Sequence, residues 1–275
     1  MIEIHHTATT EAALASAAFG SEPHSWPLPS ATTPRQLWLR AVASGGQGRY
    51  SSAYRDLAEL RRSVSAGRLV SLAHSTQGSF LRQLGWHALA RGWDGRALAL
   101  AGADAEARGD ALIGLAADAL GVGRFAAAAA LLTRADQDLA AASAPDRLAV
   151  RRRWVAAELA MARGEGQIAV RHAEEAVEQA QAMAINNAAS ARHRVKSDVV
   201  LAAAWCSAGS TERARAVADA ALDDTGRLGL IPLRWALACL LIDIGSVTFA
   251  AQEMREIRDI CAGQVRRAGG TWRCA

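Results

Sequence analysis

From Pro34 onward, apolar residues recur at three- and four-residue spacing, the signature of one buried face on an α-helix. Glycines punctuate this pattern at intervals of a few turns. Strand signals are missing: β-branched runs are short, Tyr and Phe are few, and no Asn-Gly pair marks a hairpin. The periodicity predicts six pairs of helices: 34–44 with 50–64, 76–91 with 94–104, 109–121 with 125–141, 146–162 with 166–183, 188–207 with 211–226, and 231–243 with 247–267. Residues 1–32 stand apart, since they carry no basic side chain and Pro23, Pro27 and Pro29 break the second half. They read as a mostly flexible tail with a short helix over Thr10–Phe19, ahead of an all-α unit over 33–275.

The glycines belong to a repeat. Glycine followed five residues later by alanine recurs six times: Gly48 with Ala53, Gly92 with Ala97, Gly123 with Ala128, Gly164 with Ala169, Gly209 with Ala214, and Gly245 with Ala250. Successive glycines lie 44, 31, 41, 45 and 36 residues apart. Each glycine is expected to end one helix in a left-handed conformation, and each alanine to let two helix backbones approach. A larger side chain at the alanine would overpack that contact by about 1–3 kcal/mol. Upstream, large residues precede a small one, as in Leu81, Leu84, Gly85 and in Leu112, Leu115, Ala116.

The stretch Gln47-Gly48-Arg49-Tyr50-Ser51-Ser52-Ala53-Tyr54 resembles the turn and second-helix start of a tetratricopeptide repeat, and Leu81-x-x-Leu84-Gly85 and Leu112-x-x-Leu115-Ala116 resemble its first-helix motif. The likeness covers residues 34 to about 262 in six divergent copies. It departs from the family in three respects: four intervals exceed the usual 34 residues, the proline after the second helix is mostly absent, and the aromatic after the glycine survives only at Tyr50 and Phe125. The resemblance implies a right-handed superhelical solenoid of about six antiparallel pairs, whose first helices line a concave face that binds peptides or proteins.

Composition adds little against this reading. Apolar residues make up 51% and charged residues 21%, which excludes a disordered chain. The net charge of +4 permits an anionic partner without requiring one. Nearly every base is arginine, and Lys196 is the only lysine. No apolar run reaches the roughly 18 residues of a membrane span, and no Arg or Lys precedes Arg35, so neither a membrane anchor nor a secretory leader is expected. Cys206, Cys239, Cys261 and Cys274 form no Cys-x-x-Cys pair, and a reduced, cytoplasmic protein is expected.

Mapping the family's geometry onto this chain puts Arg82 and Trp86, Asp110 and Ile113, Arg151, Trp154 and Glu158, Lys196 and Val199, and Trp235 on the concave face. The tryptophans have a second reading as inter-helix core. Arg192, His193, Arg194 and Lys196 gather at the start of the fifth pair, where positive charge opposes the helix dipole. With Arg151, Arg152 and Arg153 they suggest a shared subsite for carboxylates or phosphates. Catalytic signatures are lacking: there is no G-x-S-x-G, no phosphate loop and no H-E-x-x-H. His5-His6 and Cys274 offer only incidental metal binding and oxidation. No metal or cofactor is expected.

The expected function is a non-catalytic scaffold or adaptor for an acidic protein or peptide. The alternatives are a regulatory sensor acting on a transcription factor or other signalling partner, and direct nucleic-acid binding through an Arg-rich groove. The terminal pair is read as a solvated cap or as a surface for a second copy of the chain.

Overall fold

A computed structural model describes residues 2–140, 145–185 and 190–273, with side chains omitted for 2–6 and 184–185. His5, His6 and Cys274 therefore lie outside what is described of side chains. Among the described residues the chain is all helical, with no strand. The helices are α1 (Ile2–Phe19), α2 (Pro34–Gly46), α3 (Tyr50–Ser63), α4 (Arg68–Gln83), α5 (His87–Leu100), α6 (Ala105–Gly121), α7 (Phe125–Ala140), α8 (Asp146–Ala162), α9 (Gly166–Ile185), α10 (Ala191–Ser207), α11 (Thr211–Arg227), α12 (Ile231–Ile244) and α13 (Ala251–Arg267). Each helix packs on the next, as in a helical-repeat solenoid. No described helix is long and apolar enough to cross a membrane.

Five of the pairs turn in the same way. Gly48, Gly85, Gly123, Gly164 and Gly209 have φ between +75° and +87°. The residue after each glycine donates its amide to the carbonyl five positions back, at 2.8–2.9 Å: Arg49 to Ser44, Trp86 to Leu81, Arg124 to Ala119, Glu165 to Ala160 and Ser210 to Trp205. This is the bond that closes a Schellman-type helix end, and it needs the left-handed residue that glycine supplies without strain. The second helix of each of these pairs starts two residues after its glycine, at Tyr50, His87, Phe125, Gly166 or Thr211. Five residues after it, Ala53, Ala90, Ala128, Ala169 and Ala214 are fully buried.

Two copies of the repeat need correction. The expected pairing of Gly92 with Ala97 is not the turn of the second pair. That turn is at Gly85, and Gly92 lies inside α5 with open space around the position of a Cβ. Ala97 is correspondingly displaced from the role assigned to it, and Ala90 is the alanine that follows the turn. Ala97 sits two helical turns further along α5, where it is fully buried and its carbonyl accepts from Ser71 Oγ of α4 at 2.8 Å. The spacing misled because Gly85 and Gly92 are seven residues apart, and so are Ala90 and Ala97. Seven residues is close to two full turns, so both alanines share one buried face. With Gly85 in place, the intervals become 37 and 38 instead of 44 and 31. In the sixth copy Gly245 does end α12, but α13 begins only at Ala251, and Ala250 is an exposed cap residue. Asp219 holds the intervening loop, accepting from Ser246 Oγ at 2.6 Å and from the Val247 amide at 2.9 Å.

The segment read as a flexible tail is ordered wherever it is described. α1 packs on α2 through buried Leu14, Ala17 and Ala18. Gln47 Nε2 donates to the carbonyls of Pro23 and Ser25, both at 2.9 Å, and the Arg49 guanidinium covers the Trp26 ring at 3.8 Å. The prolines that suggested disorder lie in an extended run between α1 and α2. Thr33 then caps α2, with Gln36 returning the bond in a capping box.

The first helices, α2, α4, α6, α8, α10 and α12, pack in a row, and the C-terminal segment bridges the last pair to the first. The Ser51 amide in α3 donates to Ala268 O at 2.8 Å, and the Arg273 amide donates to Leu84 O at 2.9 Å. Val265 of α13 is buried in the core of the first helices, with Ile231 and Trp272 packed against it. From the other side, the Ala191 amide at the start of α10 donates to Gly20 O at 3.1 Å. A concave face open along its whole length is thereby replaced by a partly enclosed centre.

The revised turn makes opposite predictions for two neighbouring glycines. Gly92→Ala should stabilise the protein by about 0.5–1 kcal/mol, by removing glycine's flexibility from a helix interior. Gly85→Ala should destabilise it by about 1–3 kcal/mol, because alanine must enter the left-handed region. Urea unfolding of both variants measures the two signs.

Candidate functional site

The partly enclosed centre holds a cavity of about 320 Å³. All six first helices reach it, and Phe19 of α1 and His87 of α5 complete the wall. The lining follows helical spacing: Trp38, Val42 and Gly46 on α2, and Arg147, Arg151, Trp154 and Glu158 on α8, recur at intervals of three or four. Small residues admit large ones. A Cβ on Gly121 would fall 2.1 Å from His87 Nδ1, and one on Gly45 would strike the Phe80 ring.

Of the side chains expected on the concave face, Arg82, Asp110, Ile113, Arg151, Trp154, Glu158 and Lys196 line the cavity. Trp86, Val199, Arg194 and Trp235 do not. Trp86 is the cap of α5, and its Nε1 donates to Thr271 O at 2.7 Å. Trp235 stacks on Trp272, with ring centroids 4.1 Å apart. Both tryptophans are thus taken up by the C-terminal segment that closes the ring. Val199 is buried between α10 and its neighbours in the core. Arg194 points away to Asp224 at 2.7 Å, Arg152 to Asp136 at 2.6 Å, and Arg153 to Glu175 at 2.7 Å. The expected basic cluster is therefore divided: Arg151, Arg192, His193 and Lys196 face inward, and Arg152, Arg153 and Arg194 do not. Arg147 joins the inward group, and the alternation of inward and outward positions on α8 was the signal for it.

Carboxylates compensate most of these cations. Arg147 bonds Glu106 at 2.5 Å and Asp110 at 3.4 Å. Asp110 also pairs with Arg151, and Glu106 with Arg68. Lys196 meets Glu158 at 3.3 Å and lies 6.0 Å from the centre of the Trp154 ring. Trp154 in turn stacks on His193, centroids 5.3 Å apart, and donates from Nε1 to Ser197 Oγ at 2.9 Å. Burial, together with Arg192, Arg147 and Arg151, holds the His193 pKa well below the ordinary imidazole value, so this ring is neutral. His87 is also lowered, by burial and by Arg82. Burial first, then Arg82 and Arg192, brings the Arg151 guanidinium down to about 10.

Behind the wall, Arg82 joins two buried carboxylates, Asp94 and Asp118, the latter at 3.0 Å. Gly78 and Gly114 make the space, since a Cβ on either would lie within 2.5 Å of an Asp94 oxygen. Asp94 Oδ1 and Asp118 Oδ2 have no hydrogen-bond partner among the described residues. Two carboxylates on one guanidinium leave an excess negative charge in a buried place, and burial with the Asp118 charge raises the Asp94 pKa to about 7.

Comparison with protein-family models finds no match to this chain, and comparison with the curated proteins finds no relative.

The Asp94 shift sets a pH dependence. A carboxyl whose folded pKa exceeds its unfolded pKa binds a proton on folding, so its contribution is complete below about pH 4 and declines as pH rises toward about 7. Asp94→Asn removes this titration and leaves Arg82 to Asp118. Urea unfolding between about pH 4.5 and 7.5 should show the wild type losing stability with rising pH relative to the variant.

Proposed function

We propose that the chain is a non-catalytic binding module that takes a small organic ligand into its centre. The observation that carries this reading is the convergence of all six first helices on one cavity of about 320 Å³. That size falls at the lower end of small-molecule sites, about 300–1,000 Å³. Its make-up fits as well: aliphatic and aromatic side chains, with a few charged groups directed inward. The resemblance to tetratricopeptide repeats suggests a peptide laid across successive pairs, but a partly enclosed volume of this size suits a compact ligand better. A protein partner, in this reading, would meet the outer helices.

No arrangement in the wall supports catalysis better than binding. The two histidines are neutral, and the carboxylates Asp110 and Glu158 are engaged with Arg147, Arg151 and Lys196. A sensor remains the closest functional class, because the segment that closes the ring also contacts α3, α4 and the start of α5. A ligand at the centre could then alter how firmly that joint holds.

Thermal-shift screening of small organic molecules tests the proposal. A ligand at one hundred times its Kd should add about 2.7 kcal/mol of stability. The stabilisation should vanish in Ala117→Phe, which fills the cavity, and persist in Arg194→Ala, which alters the outside. Ligands that stabilise Ala117→Phe as well as the wild type would count against a central site.

A further inference from the structure

Five cationic side chains line the cavity: Arg82, Arg147, Arg151, Arg192 and Lys196. Four of them have carboxylate partners among the described residues. Arg192 has none among those residues, and no hydrogen bond from them reaches its guanidinium. It stems from the first turn of α10 and runs over the bare backbone of α2, where a Cβ on Gly46 would sit 3.6 Å from its Cδ and Nε. Another cation, Arg147, is close enough to repel it. A partly buried guanidinium without a counter-charge is unfavourable in the empty protein. Tyr50 lies close by, but burial raises its pKa and keeps the phenol neutral.

We propose, resting on the central-ligand reading above, that the ligand is a small amphipathic carboxylic acid whose carboxylate is received by Arg192. The planar fork of an arginine matches a carboxylate in two parallel bonds. The remaining wall selects the rest of the molecule. Trp38, Val42, Ile113, Ala117 and Leu233 offer an apolar bed, and Arg147 and Arg151 flank the head group, already paired with Glu106 and Asp110, of which Glu106 is shared with Arg68. Arg192 is the one cavity-lining cation without a carboxylate among the described residues, and this favours a singly charged head group. A phosphate brings nearly two negative charges at neutral pH and would leave a surplus beside Asp110 and Glu158. Burial lowers the pKa of Arg192, and the repulsion of Arg147 adds to this; an anion in contact acts in the opposite direction.

Isothermal calorimetry on the full chain decides the matter. The probes are benzoate, phenylacetate, hexanoate and octanoate, their uncharged primary amides, and inorganic phosphate. At least one acid should bind more tightly than about 1 mM, and its amide at least about tenfold more weakly. Arg192→Gln should weaken the acid about 10- to 100-fold and raise the melting temperature of the ligand-free protein, because the uncompensated charge is gone. Arg192→Lys should restore part of the affinity, through charge without the fork. If acid and amide bind equally, and Ala117→Phe abolishes both, the central site stands and the carboxylate assignment falls. If phosphate binds more tightly than every acid, the assignment also falls. If no probe binds, it is overturned.

Discussion

The joint between the last helix pair and the first is the contact on which the rest of the structure depends. A row of helix pairs that lean only on their neighbours leaves one face open to solvent. Here residues 268–273 cross that gap, tied at Ser51, Leu84 and Trp86 and stacked through Trp272 on Trp235. Gly48 makes the approach possible from the other side, where a Cβ would meet Val265 Cγ2 at 3.2 Å. Once the ends are joined, the first helices surround a volume instead of presenting a surface, and their inward side chains face one another across it.

Partial enclosure changes what the charges do. On an open face, Arg82, Arg147 and Arg151 would be solvated and their ion pairs would contribute little. Inside, each needs a counter-charge, and Asp94, Asp118, Glu106 and Asp110 supply it from α5 and α6. The matching is uneven in two places. Arg82 has one carboxylate too many, and Arg192 has one too few. The first lies behind the wall, where burial and the Asp118 charge raise the Asp94 pKa to about 7 and so favour a proton there. The second faces the cavity, where a molecule from outside can settle it.

Much of the fold was legible in the chain because the repeat has a backbone cause. A left-handed turn requires glycine, and a close helix crossing requires a small residue five positions on, so Gly48 with Ala53 and Gly123 with Ala128 could be read directly. The spacing failed where it was degenerate. Gly85 with Ala90 and Gly92 with Ala97 satisfy it equally, and choosing the later pair moved Trp86 from a cap onto a helix face and gave Ala97 the place that Ala90 holds. It also failed at Ala250, where Asp219, distant in sequence, delays the last helix. Ring closure left no local sign. Trp86, Trp235 and Trp272 are far apart in the chain, and no periodicity announces that they meet. The inward residues of α8 and α10 were nonetheless recoverable, since Arg151, Trp154 and Glu158 share one face by spacing alone. Arg147, one turn earlier on that face, follows from the same rule. The order in residues 2–32 was hidden by their prolines, which break helices without preventing packing.

The closed ring is tested most directly by amide hydrogen exchange at Ser51 in the full chain. Ser51 sits in the first turn of α3, where an amide has no acceptor within its own helix, so its protection must come from Ala268 O. Closure predicts that the Ser51 amide exchanges slowly in the intact protein and at the rate of a free amide once residues 268–275 are removed, with the Leu57 and Leu60 amides still protected. Rapid exchange at Ser51 in the intact chain, alongside protected Leu57 and Leu60, would mean an open row of helices and would contradict the account.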